Sequence, residues 1–88
     1  MPLISQFYGI LIRMFFNDQD QHHLPHFHAV YGDFSGSFTL DGELITGDIP
    51  MRQQKLVAAW AIIHQEELEV LWKTLQETGE YFKIKGLE

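Results

Sequence analysis

From Tyr8 to Phe16 every second residue is apolar, and most of the residues between them are apolar too. Tyr8, Ile10, Ile12, Met14 and Phe16 alternate with Gly9, Leu11, Arg13 and Phe15, which predicts one strand covered on both faces. The stretch Asn17 to Pro25 is polar apart from Leu24 and ends in proline, so it predicts a loop. His26-Phe27-His28-Ala29-Val30-Tyr31 alternates again and stops at Gly32-Asp33. Phe34, Phe38 and Leu40 then alternate with Ser35, Ser37 and Thr39, a strand with one dry face and one wet face. Asp41-Gly42 suits the pair of positive φ angles in a type I′ turn, which would return the chain as a short strand over 43–46.

Beyond Pro50 the spacing lengthens to that of a helix. Leu56, Ala59, Trp60 and Ile63 form one stripe, and Leu68, Leu71, Trp72 and Leu75 form a second at the same offsets. Pro50 suits a first helical turn, where its missing N–H is no loss, and Gly79 suits a stop. A single helix over 50–78 would be roughly 43 Å long at 1.5 Å per residue. Strands of about 5–6 residues span only about 17–20 Å, so that helix would overhang its sheet. A break near His64 is expected instead, with Glu66 and Glu67 favouring a new N-terminus through the helix dipole. The tail Tyr81–Lys85 alternates weakly and reads as an edge segment. The pattern predicts an α+β fold, a small antiparallel sheet of three to four strands packed on one face by two C-terminal helices. Its expected core holds Ile10, Ile12, Phe27, Tyr31, Phe38, Leu56, Trp60, Ile63, Leu71 and Trp72, with Phe34 inward by alternation.

Composition narrows the class. Eighty-eight residues make one domain over 1–88. A chain this size buries only about 60–65% of its unfolded surface. Seven Phe, three Tyr and two Trp supply the dense core this demands. The absence of cysteine excludes a disulfide scaffold, a zinc ribbon and a thiol nucleophile. The apolar run Tyr8–Met14 contains Arg13 and is far short of the roughly 20 residues of a membrane span. No basic segment precedes an apolar one at the start, so the expectation is a soluble cytoplasmic protein without a signal peptide. Net charge is −6, and the six Lys and Arg residues are scattered along the chain. That argues against coating DNA, leaves room for a small RNA-contacting or catalytic site, and suits a basic protein partner.

Four of the five histidines lie between His22 and His28. His26 and His28 are two apart on a strand, so both imidazoles leave one face. An antiparallel hairpin around the 17–25 loop, with Ile10 and Ile12 on the face of Phe27 and Ala29, would bring Arg13 to that same face. A slip of one residue would undo the arrangement. Two imidazoles beside a guanidinium can act as general acid, general base and phosphate clamp, enough for metal-independent RNA cleavage. The same His-x-His pair offers two ligands for zinc or nickel, with Asp18, His22, His23, Asp33 or His64 as a third. It also reads as a wet sheet face used for protein contact. Arg13 has a structural reading as the ion-pair partner of Asp33, Asp48 or a helix glutamate, and His64 reads as a cap or packing residue. No serine or threonine has a base and orienter at a fixed spacing, so a catalytic triad has no support.

The residues Ile4-Ser5-Gln6-Phe7-Tyr8-Gly9-Ile10-Leu11-Ile12-Arg13-Met14 and Pro25-His26-Phe27-His28-Ala29 carry a resemblance to the bacterial domain of unknown function 4160. The likeness continues through Tyr31-Gly32-Asp33, Ile49-Pro50-Met51-Arg52, Trp60, His64–Leu68, Trp72 and Lys83-Ile84-Lys85-Gly86-Leu87. The chain departs from that pattern in a longer loop over Gln19 to Leu24, in Leu24 for a proline, and in Gly86 for a proline. The resemblance implies the toxin of a two-gene toxin–antitoxin module. Its implied partner is an antitoxin-like protein, such as one of domain of unknown function 2442, and its implied target is of unknown kind, RNA among the candidates. Arg13, His26 and His28 are the residues on which activity or binding is expected to rest.

Overall fold

In the computed structural model, which describes residues 2–16 and 24–87, the first apolar stretch is a hairpin rather than one strand. β1 (Leu3–Phe7) and β2 (Ile10–Arg13) pair antiparallel about Tyr8-Gly9. Both turn residues have positive φ, 46° at Tyr8 and 78° at Gly9, as a type I′ connection requires. Tyr8 therefore stands in the turn, 57% exposed, and not on the core face where alternation placed it. Many positions on both sides of the stretch are apolar, so period two carries no mark of the reversal.

β3 (His26–Tyr31), β4 (Phe34–Thr39) and β5 (Leu44–Asp48) complete a five-stranded antiparallel sheet in chain order, one strand beyond the expected three to four. The β4–β5 loop differs from the expected type I′ pair. Gly42 has φ 92°, while Tyr8 is the one non-glycine with positive φ among the described residues. The Gly42 N–H donates to the Thr39 carbonyl at 2.9 Å and the Thr39 N–H to the Glu43 carbonyl at 2.8 Å. Leu40-Asp41-Gly42 is thus a three-residue loop with its glycine in the last, left-handed position. The glycine also answers to the helix behind it, because a Cβ at 42 would lie 2.7 Å from the Ala58 Cα.

The helices are α1 (Met51–Ile63) and α2 (Gln65–Thr78), separated by His64 at φ −109° and ψ 25°. Pro50 sits one step before α1, and its carbonyl accepts the Gln54 N–H at 2.9 Å. Gly79 closes α2 at φ 79°. The inward line of α1 is Val57, Trp60 and Ala61. Ala59 is exposed, and Ile63, expected in the core, is 65% exposed. The segment Leu56–Ile63 is apolar nearly all round, so spacing fits two adjacent stripes equally well. Contacts choose between them. The Trp60 ring packs 5.4 Å from Phe7 and 5.6 Å from Phe27, centroid to centroid, and its Nε1–H donates to the Lys85 carbonyl at 2.9 Å.

Around Trp60 lie Ile4, Ile10, Ile12, Met14, Phe38, Leu68, Leu71 and Leu75, all buried. Tyr31, Leu56 and Trp72 are half-buried at the margin of this core, and Phe34, next to the Gly32-Asp33 turn, is 40% exposed. The tail docks along β1 as an edge segment. Ile84 is buried, and its N–H donates to the Ile4 carbonyl at 2.7 Å. Among the described residues no helix is long and apolar enough to cross a membrane.

Candidate functional site

Register places the polar residues of the sheet. Ile12 pairs with Ala29, Arg13 with His28, and His28 in turn with Ser37. Phe27 and Phe38 turn toward Trp60 and the helices, so Arg13, His28 and Ser37 form a cross-strand row on the opposite face. The parity predicted for Arg13 and His28 is the parity observed. His28 Nδ1 lies 3.3 Å from the Ser37 hydroxyl, and the Phe15 ring lies 4.6 Å from the imidazole, centroid to centroid. Arg13, Phe15, His28, Ser35, Ser37 and Thr46 line a shallow groove of about 260 Å³ on this face.

His26 is next to this row but does not line the groove. Its ring lies 5.1 Å from that of His28 at an interplanar angle of 71°. Trp72 of α2 approaches its ring to 5.4 Å, leaving His26 1% exposed. The Nδ1–H donates to the Leu24 carbonyl at 2.6 Å. A carbonyl can only accept, so this bond places a proton on Nδ1. The covering comes from the end of the sheet, where Gln76 of α2 donates to the Phe15 carbonyl at 2.8 Å. Alternation places His26 on the outer face but carries no information about an aromatic reaching round the sheet end.

The structure thus brings Arg13, His26 and His28 together and gives two of them to the groove. Ser37 and Phe15 are partners of His28 that sequence reasoning did not single out. For Ser37 the signal was present, since the polar face of β4 lies beside the His-x-His strand, although Ser37 itself is buried rather than wet. Among the described residues no three His, Asp or Glu side chains gather as a metal site. Asp18, His22 and His23, named as third ligands, lie outside the described residues. His64 is engaged elsewhere. Its Nδ1 meets Glu67 Oε1 at 2.5 Å, and its ring lies 5.9 Å from Trp60, in keeping with a packing role at the helix break.

Neither the curated proteins nor the solved structures hold a match to the chain. A family model does: residues 9–73, which take in Arg13, His26, His28, Trp60 and Trp72, match the one described as Domain of unknown function (DUF4160). By that match over most of its length, the chain belongs to the DUF4160 family.

Proposed function

We propose that this chain is the toxin-like component of a bacterial two-gene toxin–antitoxin module, acting in the cytoplasm by binding rather than by cleavage. Its contact surface is the outer sheet face around Arg13 and His28. The observation that supports binding over catalysis is the burial of His26. Cleaving a phosphodiester by acid–base chemistry needs two proton carriers within reach of the reacting oxygens. One imidazole lines the groove, and the second is held by Leu24 and covered by Trp72. What the groove offers is a guanidinium, an imidazole and the hydroxyls of Ser35 and Thr46, with Ser37 buried against His28. Those groups suit hydrogen bonding to a polar or acidic patch on the partner, while the net charge of −6 favours a partner that is basic elsewhere. An antitoxin-like protein of the domain of unknown function 2442 type is the proposed occupant.

The test is induction of the chain in a bacterial host, alone and with its neighbouring gene, beside the double variant Arg13→Gln/His28→Gln. The expected result is growth arrest by the chain alone, rescue by the neighbour, and total RNA of unchanged length profile during arrest. The double variant is expected to stay folded, cease to inhibit growth, and lose at least about tenfold in partner affinity, which corresponds to about 1.4 kcal/mol. Fragmented RNA that disappears in the double variant would replace binding with cleavage. Undiminished arrest by a folded double variant would remove the outer face from the function.

A further inference from the structure

Three motifs far apart in sequence meet at one place that the outer face does not include. Phe7-Tyr8-Gly9, Tyr31-Gly32-Asp33 and Ile49-Pro50-Met51-Arg52 bring Tyr8, Tyr31 and Arg52 to a single cleft, completed by Gln53 and Leu56. Its volume is about 450 Å³, within the range of about 300–1,000 Å³ of small-molecule sites. The cleft lies at the Ile10 end of β2, since Tyr31 is the cross-strand partner of Ile10. Arg13 and His28 pair at the other end of the strand. Gly9 is part of the construction. Its φ of 78° is what calls for glycine, and a Cβ there would stand in ordinary contact with the Tyr31 ring at 3.4 Å.

Tyr8 is the residue that asks for an explanation. The first position of a type I′ turn is best served by asparagine, aspartate or glycine, and a bulky residue there is an outlier. Tyr8 holds φ 46° and yet is 57% exposed, so packing within the chain compensates the conformation only in part. Strain without full local return marks a place where a side chain is held for something else. Its neighbours say what. Two phenol rings offer π-faces for stacking. Arg52, exposed on a first helical turn that carries no acid, offers a planar fork for phosphate. The Gln53 amide can both donate to and accept from the edge of a base.

We propose that this cleft binds a nucleotide, with the base stacked on Tyr8 and Tyr31 and the phosphate on Arg52. The same chemistry is presented by a free mononucleotide and by one unstacked residue of single-stranded RNA. A single guanidinium matches a single phosphate, so the salt dependence is shallow, with a logarithmic slope no steeper than about −0.7 for the single-stranded RNA.

The experiment is titration calorimetry of the full chain with AMP, GMP, CMP and UMP and with a short single-stranded RNA, at about 50 mM and about 200 mM salt. Binding of at least one of these probes is expected. Tyr8→Asn places the preferred residue in the turn, so it should melt no lower than the parent while binding at least about tenfold more weakly. Tyr8→Phe keeps the ring and should stay within about twofold. Arg52→Gln should weaken binding and flatten its salt dependence, and His28→Gln should change neither. An RNA that binds at least about tenfold tighter than the best mononucleotide assigns the site to single strands, and equal affinities assign it to free nucleotides. Absence of binding by all five probes, or undiminished binding by folded Tyr8→Asn and Arg52→Gln, overturns the proposal.

Discussion

His26 and His28 share a strand face, a motif and a contact distance, and yet they answer to different forces. His28 is half-buried beside the Ser37 hydroxyl and lines the groove. His26 is enclosed, its Nδ1–H donated to a backbone carbonyl. If both were exposed, replacing them together would cost under about 0.5 kcal/mol. Burial changes that expectation for one of the two. His26→Ala removes a ring from contact with Trp72 and leaves the Leu24 carbonyl without its donor, a loss of about 2–3 kcal/mol. For a domain of this size that lowers the melting temperature by roughly 8–24 °C. His28→Gln should stay within about 1 kcal/mol, since the amide can still meet Ser37. Urea unfolding of the two single variants measures the difference. Equal stability of both would contradict the inward placement of His26. The sequence carried enough to put both histidines on one face, because parity is a property of the strand alone, and Arg13 joins them through the matching of Ile12 with Ala29 across the hairpin. It could not carry the position of Trp72, which depends on where α2 ends up.

Elements read differently from residues. The helix break at His64 was legible because length is a global constraint: a continuous helix cannot fit a sheet of short strands. The reversal at Tyr8-Gly9 was not, because a tyrosine is a poor marker of a type I′ turn and both strands are apolar. The inward line of α1 was misread by one position for a related reason, an excess of apolar candidates. In each of these cases the deciding information is tertiary, supplied by Trp60 against Phe7 and Phe27 and by Gly42 against Ala58. The tail shows the opposite balance: a weak alternation became a firmly docked segment. Truncation after Phe82 removes the Lys85 carbonyl from the Trp60 Nε1–H and the buried Ile84 from β1. An unmet indole donor costs about 1–3 kcal/mol and the lost isoleucine burial about 1.5–3 kcal/mol. The truncated chain should therefore lose about 3–5 kcal/mol, read as a lower denaturant midpoint. A shift of less than about 1 kcal/mol would mean that the tail's contacts carry little of the fold's stability.

At the scale of the molecule, one aromatic residue joins most of the parts. Trp60 of α1 touches β1 through Phe7, β3 through Phe27 and the tail through Lys85, while the outer face and the nucleotide cleft both lie beyond its reach. A domain tied together in this way unfolds as a unit, and stability and function then separate cleanly. Trp60→Phe keeps an aromatic ring but loses the indole hydrogen bond to the Lys85 carbonyl and leaves a gap in the core, for a loss of about 2–3 kcal/mol. If the chain arrests growth, that loss matters only through the fraction unfolded, and the fraction falls on cooling from 37 °C toward the temperature of greatest stability, about 10–20 °C. Arg13→Gln alters a half-buried group on the groove and leaves the core intact. Growth arrest by Trp60→Phe should therefore return to the parental level at about 25 °C, whereas Arg13→Gln stays inactive at both temperatures while melting within a few degrees of the parent. Arrest by Arg13→Gln that recovers on cooling would reduce Arg13 to a stability residue, and failure of folded Trp60→Phe to recover would move the functional surface onto the helices.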